Sequence, residues 1–285
     1  VNINFLQAIL LGLVQGLSEF LPISSSAHLT LSGKMLGLVS AGSSEIWTAF
    51  IAVIQLGTML AVLVYFFNDL GAIAKDFIIE ALVKRKKFVE QSVNSRLGWL
   101  IISGSIPIAI IGLKFKKVIE GTITKNLWVI GVSLIVLAII LAVAEKTAKF
   151  RKEIKDITIK DAVIIGLAQS CALIPGASRS GTTITGGLFC GLNRETAARF
   201  SFLLSIPAVF ASGLLELKES MHFMTHDLMT GMIVGTIVAG ISGYIAIDFL
   251  LKYLRKNSTF IFIYYRIALG LIILALLYFG QIQAI

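Results

Sequence analysis

Apolar residues run through this chain in long blocks, and the polar residues that interrupt them are few and clustered. The blocks at 47–67, 98–113, 127–144, 197–217, 228–251 and 260–281 have the length and character of membrane-spanning helices. Two further blocks break before they can span. Residues 5–21 carry a polar stripe of Gln15, Ser18 and Glu19, which at i, i+3 and i+4 share one helix face. Pro22 ends that helix, and Ser24-Ser25-Ser26 offer N-caps for a second helix beginning near Ser25. That second piece, to about Leu38, is too short and too polar to span. Residues 162–174 repeat the plan, with a break at Pro175-Gly176 and a short helix to about Leu192. A helix, a break and a short helix inside an apolar block read as a re-entrant hairpin. A bilayer tolerates one only where it is buried in protein or lines a wet cavity.

Composition excludes a soluble domain. The chain has 285 residues, 56% of them hydrophobic and only 14% charged, with a mean hydropathy of +0.90. The net charge of +9 is not a nucleic-acid signal, because most Lys and Arg lie in short loops between apolar blocks. Lys84–Lys87 reads as a cytoplasmic anchor, and Trp47, Trp99 and Trp128, each at the start of a span, read as interfacial anchors. Cys171 and Cys190 lie in apolar context and read as packing residues. No basic n-region followed by a small-residue cleavage site opens the sequence, so no signal peptide is expected. His222, His226 and Asp227 read as solvated loop residues.

The two broken blocks resemble each other. Gly12–Thr30 and Gly166–Thr183 both carry Gly-Leu-x-Gln, then a proline six or seven residues on, then a serine-rich turn. The proline spacing differs by one residue, so the repeat is approximate. The charged stretch Glu145–Asp161 divides the chain into a first half, 1–145, with a hairpin at 5–40, and a second half, 160–285, with a hairpin at 162–192. Three spans per half is an odd number, so the halves are expected to be inverted relative to each other, with the two tips meeting near the midplane of one membrane domain. One side of the membrane receives 17 Lys and Arg, in 68–97, 145–160, 193–199 and 252–259, against 6 on the other, in 1–46, 114–126 and 218–227. The basic side is expected to be cytoplasmic. The expected fold is thus an all-α polytopic membrane protein of six transmembrane helices plus two re-entrant hairpins. Gly-rich spans allow a homodimer.

Chemistry concentrates at the tips. In Pro175–Thr183 two glycines free the backbone to turn and a helix starts just beyond, whose N-terminus favours an anion. Arg179 adds a planar charged fork suited to phosphate oxygens, and Ser178, Ser180 and Thr183 add hydroxyls. Glu19 is an acid inside a membrane hairpin, open to three roles: binding a divalent cation, acting as a general base, or neutralising Arg179. Gln15, one turn earlier, offers a neutral oxygen to the same cation, and Mg²⁺ or Ca²⁺ prefer all-oxygen shells completed by water and phosphate. His28 lies three residues after Ser25, a spacing that suits a nucleophile and its base, or a histidine that itself takes a phosphoryl group. Asp248 and Arg266 are intramembrane charges that pair or face the cavity, with no role assigned.

The pair QGLSEFLPISSSAH and PGASRSGTT resembles the motifs of the undecaprenyl-pyrophosphate phosphatase family of bacterial membranes, the bacitracin-resistance type. Gln15–Glu19 matches the Glu/Gln-x-x-x-Glu motif, and Pro175–Thr183 matches Pro-Gly-x-Ser-Arg-Ser-x-x-Thr at every fixed position. Gln15 stands where many members have Glu, and Ala27 where a Gly often precedes the His, which leaves Glu19 the only acid of its motif. The resemblance covers the full chain. It implies a hydrolase that removes the terminal phosphate of a C55 polyprenyl pyrophosphate, recycling the lipid carrier for peptidoglycan synthesis, in the cytoplasmic membrane with its site facing the periplasm. It implies that Glu19 and Gln15 carry the metal and acid/base work and that Ser25 and His28 are the nucleophile and base candidates. The pyrophosphate would be held by Ser24, Ser26, Gly176, Ser178, Arg179, Ser180 and Thr183. The same architecture also serves secondary transporters, so a translocator or flippase for phosphate or a polyprenyl phosphate is the alternative.

Overall fold

The computed structural model describes residues 3–39, 44–115, 126–220 and 226–284. Most of the loop expected at 114–125 lies outside these, as do His222 and the side chains of His226 and Asp227. The described residues form eleven α-helices and no strand. Six helices are long and apolar enough to cross a membrane, making this a multi-pass membrane protein. They are α3 (Ser44–Tyr65), α5 (Val93–Lys114), α6 (Leu127–Thr147), α9 (Arg194–Ser220), α10 (His226–Leu254) and α11 (Phe260–Tyr278). Two helix–break–helix units precede the two sets of three. They are α1 (Phe5–Phe20) with α2 (Ser25–Met35), and α7 (Ile159–Ser170) with α8 (Arg179–Phe189).

The last helix, α4 (Phe67–Asp76), corrects the expectation of a plain basic loop. It runs on through one π-helical stretch, Phe77–Val83, before the Lys84–Lys87 cluster. Its amphipathic pattern, with Ile73 buried and Gly71, Ala74 and Lys75 exposed, is short and is easily read as loop.

The two broken units share one backbone. A constant offset of 154 residues relates Ser24 to Ser178, each the N-cap of its short helix, with φ of 78° and 68°. Each caps in the same way, Ser24 Oγ accepting from Ala27 N and Ser178 Oγ from Gly181 N. At the far ends Gly37 and Gly191 both take positive φ, and Leu38 N and Leu192 N donate to Gly33 O and Gly187 O. The repeat is therefore in strict register on its serines and glycines. The prolines, on which it looks one residue out of step, sit at non-equivalent positions flanking the break. The same offset pairs Gln15 with Gln169, Ser25 with Arg179 and Glu19 with Leu173.

Packing follows the same exchange. α1 lies against α10 as α7 lies against α5, while α6 packs on α11 and α3 on α9. Small residues make these approaches possible. A Cβ on Gly16 would meet Ser242 Oγ at 2.0 Å and Ala239 O at 2.6 Å, and one on Gly166 would meet Gly104 O at 2.1 Å. The obstacle at Gly16 includes backbone, which cannot rotate away. Gly16→Val is expected to lower stability by about 1–3 kcal/mol, read as a lower thermal midpoint in detergent.

Between the units, Phe20, Phe66, Phe200 and Phe202 fill a core, with Phe20 edge-on to Phe202 at 5.2 Å. One end of the bundle is tied by ion pairs. Buried Glu145 takes Arg194 and the Thr259 hydroxyl, Asp161 takes Lys152, and Asp69 takes Arg199. Asp248 pairs with Lys252 one turn on and accepts from Tyr65.

Two further expectations change, one for an anchor and one for a packing residue. Trp47 is not interfacial: it is 1% exposed and roofs Gly33. Cys171 is exposed on α7's trailing turn rather than packed.

Candidate active site

Glu19 sits in the last turn of α1, where the chain has just buried the helix against α10, and it is 5% exposed. A carboxylate in such a place must be satisfied, and four donors from four helices do it. Oε2 accepts from Gln15 Nε2 at 3.0 Å and from Ser25 Oγ at 2.6 Å. Oε1 accepts from Gln55 Nε2 at 3.0 Å and pairs with Arg179. Ser25 and Arg179 are the equivalent first residues of α2 and α8, so the two halves offer a hydroxyl and a guanidinium to opposite oxygens of one carboxylate. The halves share a backbone and divide the chemistry, since the acid has only Leu173 as its counterpart.

The tips brace each other. Ser26 Oγ accepts from Gly176 N at 3.2 Å, and Ser180 Oγ donates to Leu21 O at 3.1 Å. Each of these serines also contacts its N-cap serine, Ser24 at 3.1 Å and Ser178 at 3.2 Å. Gly176 takes φ 82° against α6, where a Cβ would meet Ser133 Oγ at 2.5 Å and Ile130 O at 2.7 Å. Ser133 Oγ also donates to Pro175 O. The first turns of α2 and α8 thus converge on the Glu19–Arg179 pair, each with its helix dipole positive toward it.

Most of the residues singled out in the sequence come together here: Gln15, Glu19, Ser24, Ser25, Ser26, Gly176, Ser178, Arg179 and Ser180. Two point elsewhere. The Thr183 hydroxyl donates to Arg179 O at 2.7 Å and contacts Ser201 of α9, so it braces α8 rather than facing the tips. His28 does not pair with Ser25. Its Nδ1 lies 2.7 Å from Ser24 O and its Nε2 2.7 Å from the Tyr265 hydroxyl. Sharing a helix face brought Ser25 and His28 near each other, but the serine's short reach goes to Glu19 and the imidazole folds back on its own N-cap. Arg179 is held by Glu19 through Nη2, the neutralising role that was one of the three open for that acid.

Two residues of the site escaped the sequence reading, and a third was seen without a role. Gln55 looks like an ordinary polar residue in a span. Tyr265 looks like one of several aromatics in an apolar run. Arg266 did stand out as a charge within an apolar run, a signal that marks a site by default. It is wholly buried and donates from NH2 to Ala177 O at 2.9 Å and Gly176 O at 3.4 Å, while NH1 abuts Gly181 at the start of α8. Its Nε and NH1 have no partner among the described residues. Glu19 and Arg179 cancel in charge, so Arg266 leaves the tip region with one uncompensated positive charge. A buried, unpaired cation in an apolar bundle is costly, and an arriving anion relieves it. Gln169, the counterpart of Gln15, is also buried, with neither amide atom partnered among the described residues, and nothing in the structure explains it.

The model of the family described as bacitracin resistance protein BacA matches residues 8–272, a stretch that includes both tips and the first five spans and ends within α11. The chain belongs to the bacitracin resistance protein BacA family. Relatives agree along nine tenths or more of their length. An undecaprenyl-diphosphatase of Syntrophobacter fumaroxidans is 59% identical over 267 residues, covering 94% of this chain and 95% of its own. One of Chloroherpeton thalassium is 50% identical over 290 residues, covering 99% of both chains. One of Myxococcus xanthus is 48% identical over 280 residues, covering 98% of this chain and 91% of its own. The two tips described above thus lie within the region that defines the BacA family.

Proposed function

We propose that the chain is a membrane phosphatase that hydrolyses undecaprenyl pyrophosphate to undecaprenyl phosphate and inorganic phosphate. The observation that carries this reading is the Glu19 carboxylate, which holds Ser25 Oγ at 2.6 Å on one oxygen and Arg179 on the other. A serine already hydrogen-bonded to a carboxylate is a nucleophile with its base in place, while the arginine and the convergent helix N-termini suit a phosphoanhydride. An anion carrier needs the arginine and not the serine–carboxylate pair. The names of the relatives supply the substrate class.

In the reaction that follows from this geometry, Ser25 Oγ attacks the terminal phosphorus. The Oγ–P bond forms, the bridging P–O bond breaks, and the serine proton passes through Glu19 to the departing lipid phosphate. Water then attacks the phosphoserine, giving one proton through Glu19 back to Oγ, and inorganic phosphate leaves. Arg179 and Arg266 offset the negative charge that gathers on the equatorial oxygens in both steps.

A divalent cation belongs to the same proposal. Among the described residues no cluster of three His, Cys, Asp or Glu side chains is built to hold one. The groups a hard cation could take are the Glu19 carboxylate and the amide oxygens of Gln15 and Gln55, with the substrate's diphosphate completing the shell; both glutamines now turn Nε2 to Glu19, so the cation would enter by displacing one of these donors. When bound, Mg²⁺ or Ca²⁺ would neutralise diphosphate charge.

The inverted-topology arrangement of two re-entrant hairpins is supported by the shared backbone of the two units and by the exchange symmetry of their packing. The 17-to-6 division of Lys and Arg supports a cytoplasmic basic side, and the bacterial relatives support the cytoplasmic membrane, with the tips opening to the periplasm, as the setting for a lipid diphosphatase.

The test is phosphate release from undecaprenyl pyrophosphate by the detergent-purified chain, with Mg²⁺ or Ca²⁺ and with EDTA, beside Ser25→Ala. The alanine variant is expected to lose at least about 10³-fold in turnover with its thermal midpoint little changed. Near-wild-type release from the folded variant would eliminate the serine as nucleophile.

A further inference from the structure

Two neighbours on α11 reach the tips of the two halves. Arg266 grips the carbonyls of the second tip, and Tyr265 reaches the first. The Tyr265 hydroxyl lies 2.7 Å from His28 Nε2, with the two ring planes 6° apart and their centroids 5.6 Å apart. The other ring nitrogen, Nδ1, lies 2.7 Å from the carbonyl oxygen of Ser24. A carbonyl only accepts, so Nδ1 carries the proton. The neutral ring then presents a bare Nε2, and the Tyr265 hydroxyl donates to it.

The acceptor at the other end of this chain is a special one. Ser24 stands at φ 78°, a conformation that persists for a serine only where its surroundings hold it. Its carbonyl also accepts the backbone N–H of His28 at 3.3 Å, and its hydroxyl caps α2. The next residue is Ser25.

We propose that Tyr265 is a positioning residue for the reaction: through His28 it holds the Ser24 peptide, and with it the stance of Ser25 Oγ against Glu19. The tyrosine hydroxyl takes no part in bond making. It fixes the imidazole, and the imidazole fixes the strained residue before the nucleophile. The anion-binding groups Arg179 and Arg266 lie on α8 and α11 and are not held by this chain of contacts. The loss on removing the hydroxyl therefore falls on turnover and not on substrate binding. The kinetic part of this inference rests on the phosphatase reading; its spectroscopic part does not.

Tyr265→Phe keeps the ring and removes the hydroxyl. It is expected to lower kcat about threefold to tenfold, the factor one neutral hydrogen bond is worth, with KM within about twofold of wild type. In a His28→Ala background the same substitution is expected to cost nothing further, because the contact it breaks is already gone. Tyr264→Phe, one residue away on an exposed side chain, is the control and leaves kcat unchanged. An equal fractional loss from Tyr265→Phe in both backgrounds, or no loss in either, overturns the proposal. Protein labelled with ¹⁵N-histidine gives an answer that does not depend on turnover. His28 is expected in the Nδ1–H form with a hydrogen-bonded Nε2, and Tyr265→Phe moves that Nε2 resonance while those of His222 and His226 stay in place. An unmoved His28 resonance overturns the proposal whether or not the protein hydrolyses pyrophosphate. A wild type that releases no phosphate overturns the phosphatase reading alone.

Discussion

Glu19→Gln is expected to lower kcat for phosphate release by about 10²–10⁴-fold, the range that a positioned general base contributes. The substitution is nearly isosteric, but it removes the base and one of the two acceptor oxygens. Glu19 receives two donors on each oxygen, from Gln15 and Ser25 on one and from Gln55 and Arg179 on the other. A glutamine offers one oxygen and one NH₂, so the oxygen must stay on Arg179, which can only donate, and the NH₂ then forces Gln15 to turn its amide oxygen inward and Ser25 to accept where it had donated. The change also strips Arg179 of its counter-charge beside the already unpaired Arg266. Breaking a buried pair in this way costs on the order of 3–5 kcal/mol, so the thermal midpoint falls together with kcat. Substrate binding moves in the opposite sense. With Arg179 released, two uncompensated arginines face the diphosphate, and KM is expected to stay level or drop. Steady-state phosphate release against substrate concentration, paired with a melting curve, reads all three quantities. A folded Glu19→Gln enzyme with wild-type kcat would remove Glu19 from proton transfer and leave it a structural partner of Arg179.

The sequence carried the outline of this site and not its wiring. Six apolar blocks and two broken ones are legible because membrane helices must be apolar over their whole length, and a serine cluster beside a proline in such a block has few alternative explanations, whereas Pro107 and Pro207, without one, leave α5 and α9 continuous. Glu19 and Arg179 are legible for the same reason, being charges where charges are costly. What brings them together is not local. Ser25 meets Arg179 across one carboxylate only because two units 154 residues apart share a backbone register. The flanking prolines, the most visible landmarks, disguise that register by standing at non-equivalent positions. Gln55 is one amide in a span, indistinguishable by pattern from a packing residue, and its meaning lies wholly in its contact with Glu19. His28 illustrates the limit of face-sharing arguments. Three residues along a helix brings two side chains to one side, but each bonds where its own length reaches, the serine to Glu19 and the imidazole to Ser24 O and Tyr265. Arg266 was visible as a charge in an apolar run, but the turn that it supports lies 89 residues away in sequence.

Arg179→Lys is expected to act on the other side of the same pair. The charge is kept, so Glu19 retains a counter-ion and the fold survives. What is lost is the fork. In the wild type one guanidinium nitrogen, NH2, is held by Glu19, and the rest of the planar group is not committed to any partner among the described residues. Arginine can therefore hold the carboxylate and a phosphate oxygen at once, whereas a lysine ammonium is a single point that must divide itself between them. The competition is unfavourable in both directions: a lysine on Glu19 leaves the substrate weakly held, and a lysine on the phosphate leaves Glu19 buried and free to draw Ser25 away from its line of attack. KM is thus expected to rise and kcat to fall, with kcat/KM lower by about 10²–10³-fold, comparable to the loss of one preorganised donor to a developing charge. Inorganic pyrophosphate as a competitive inhibitor gives an independent reading, since its inhibition constant follows binding alone and is expected to rise with KM. The decisive feature is the contrast with Glu19→Gln, in which KM does not rise. Opposite movements of KM in the two variants are what an arginine shared between carboxylate and substrate requires. An Arg179→Lys enzyme that stays folded with unchanged KM and unchanged pyrophosphate inhibition would mean that Arg179 serves Glu19 alone, and would leave Arg266 as the cation that meets the diphosphate.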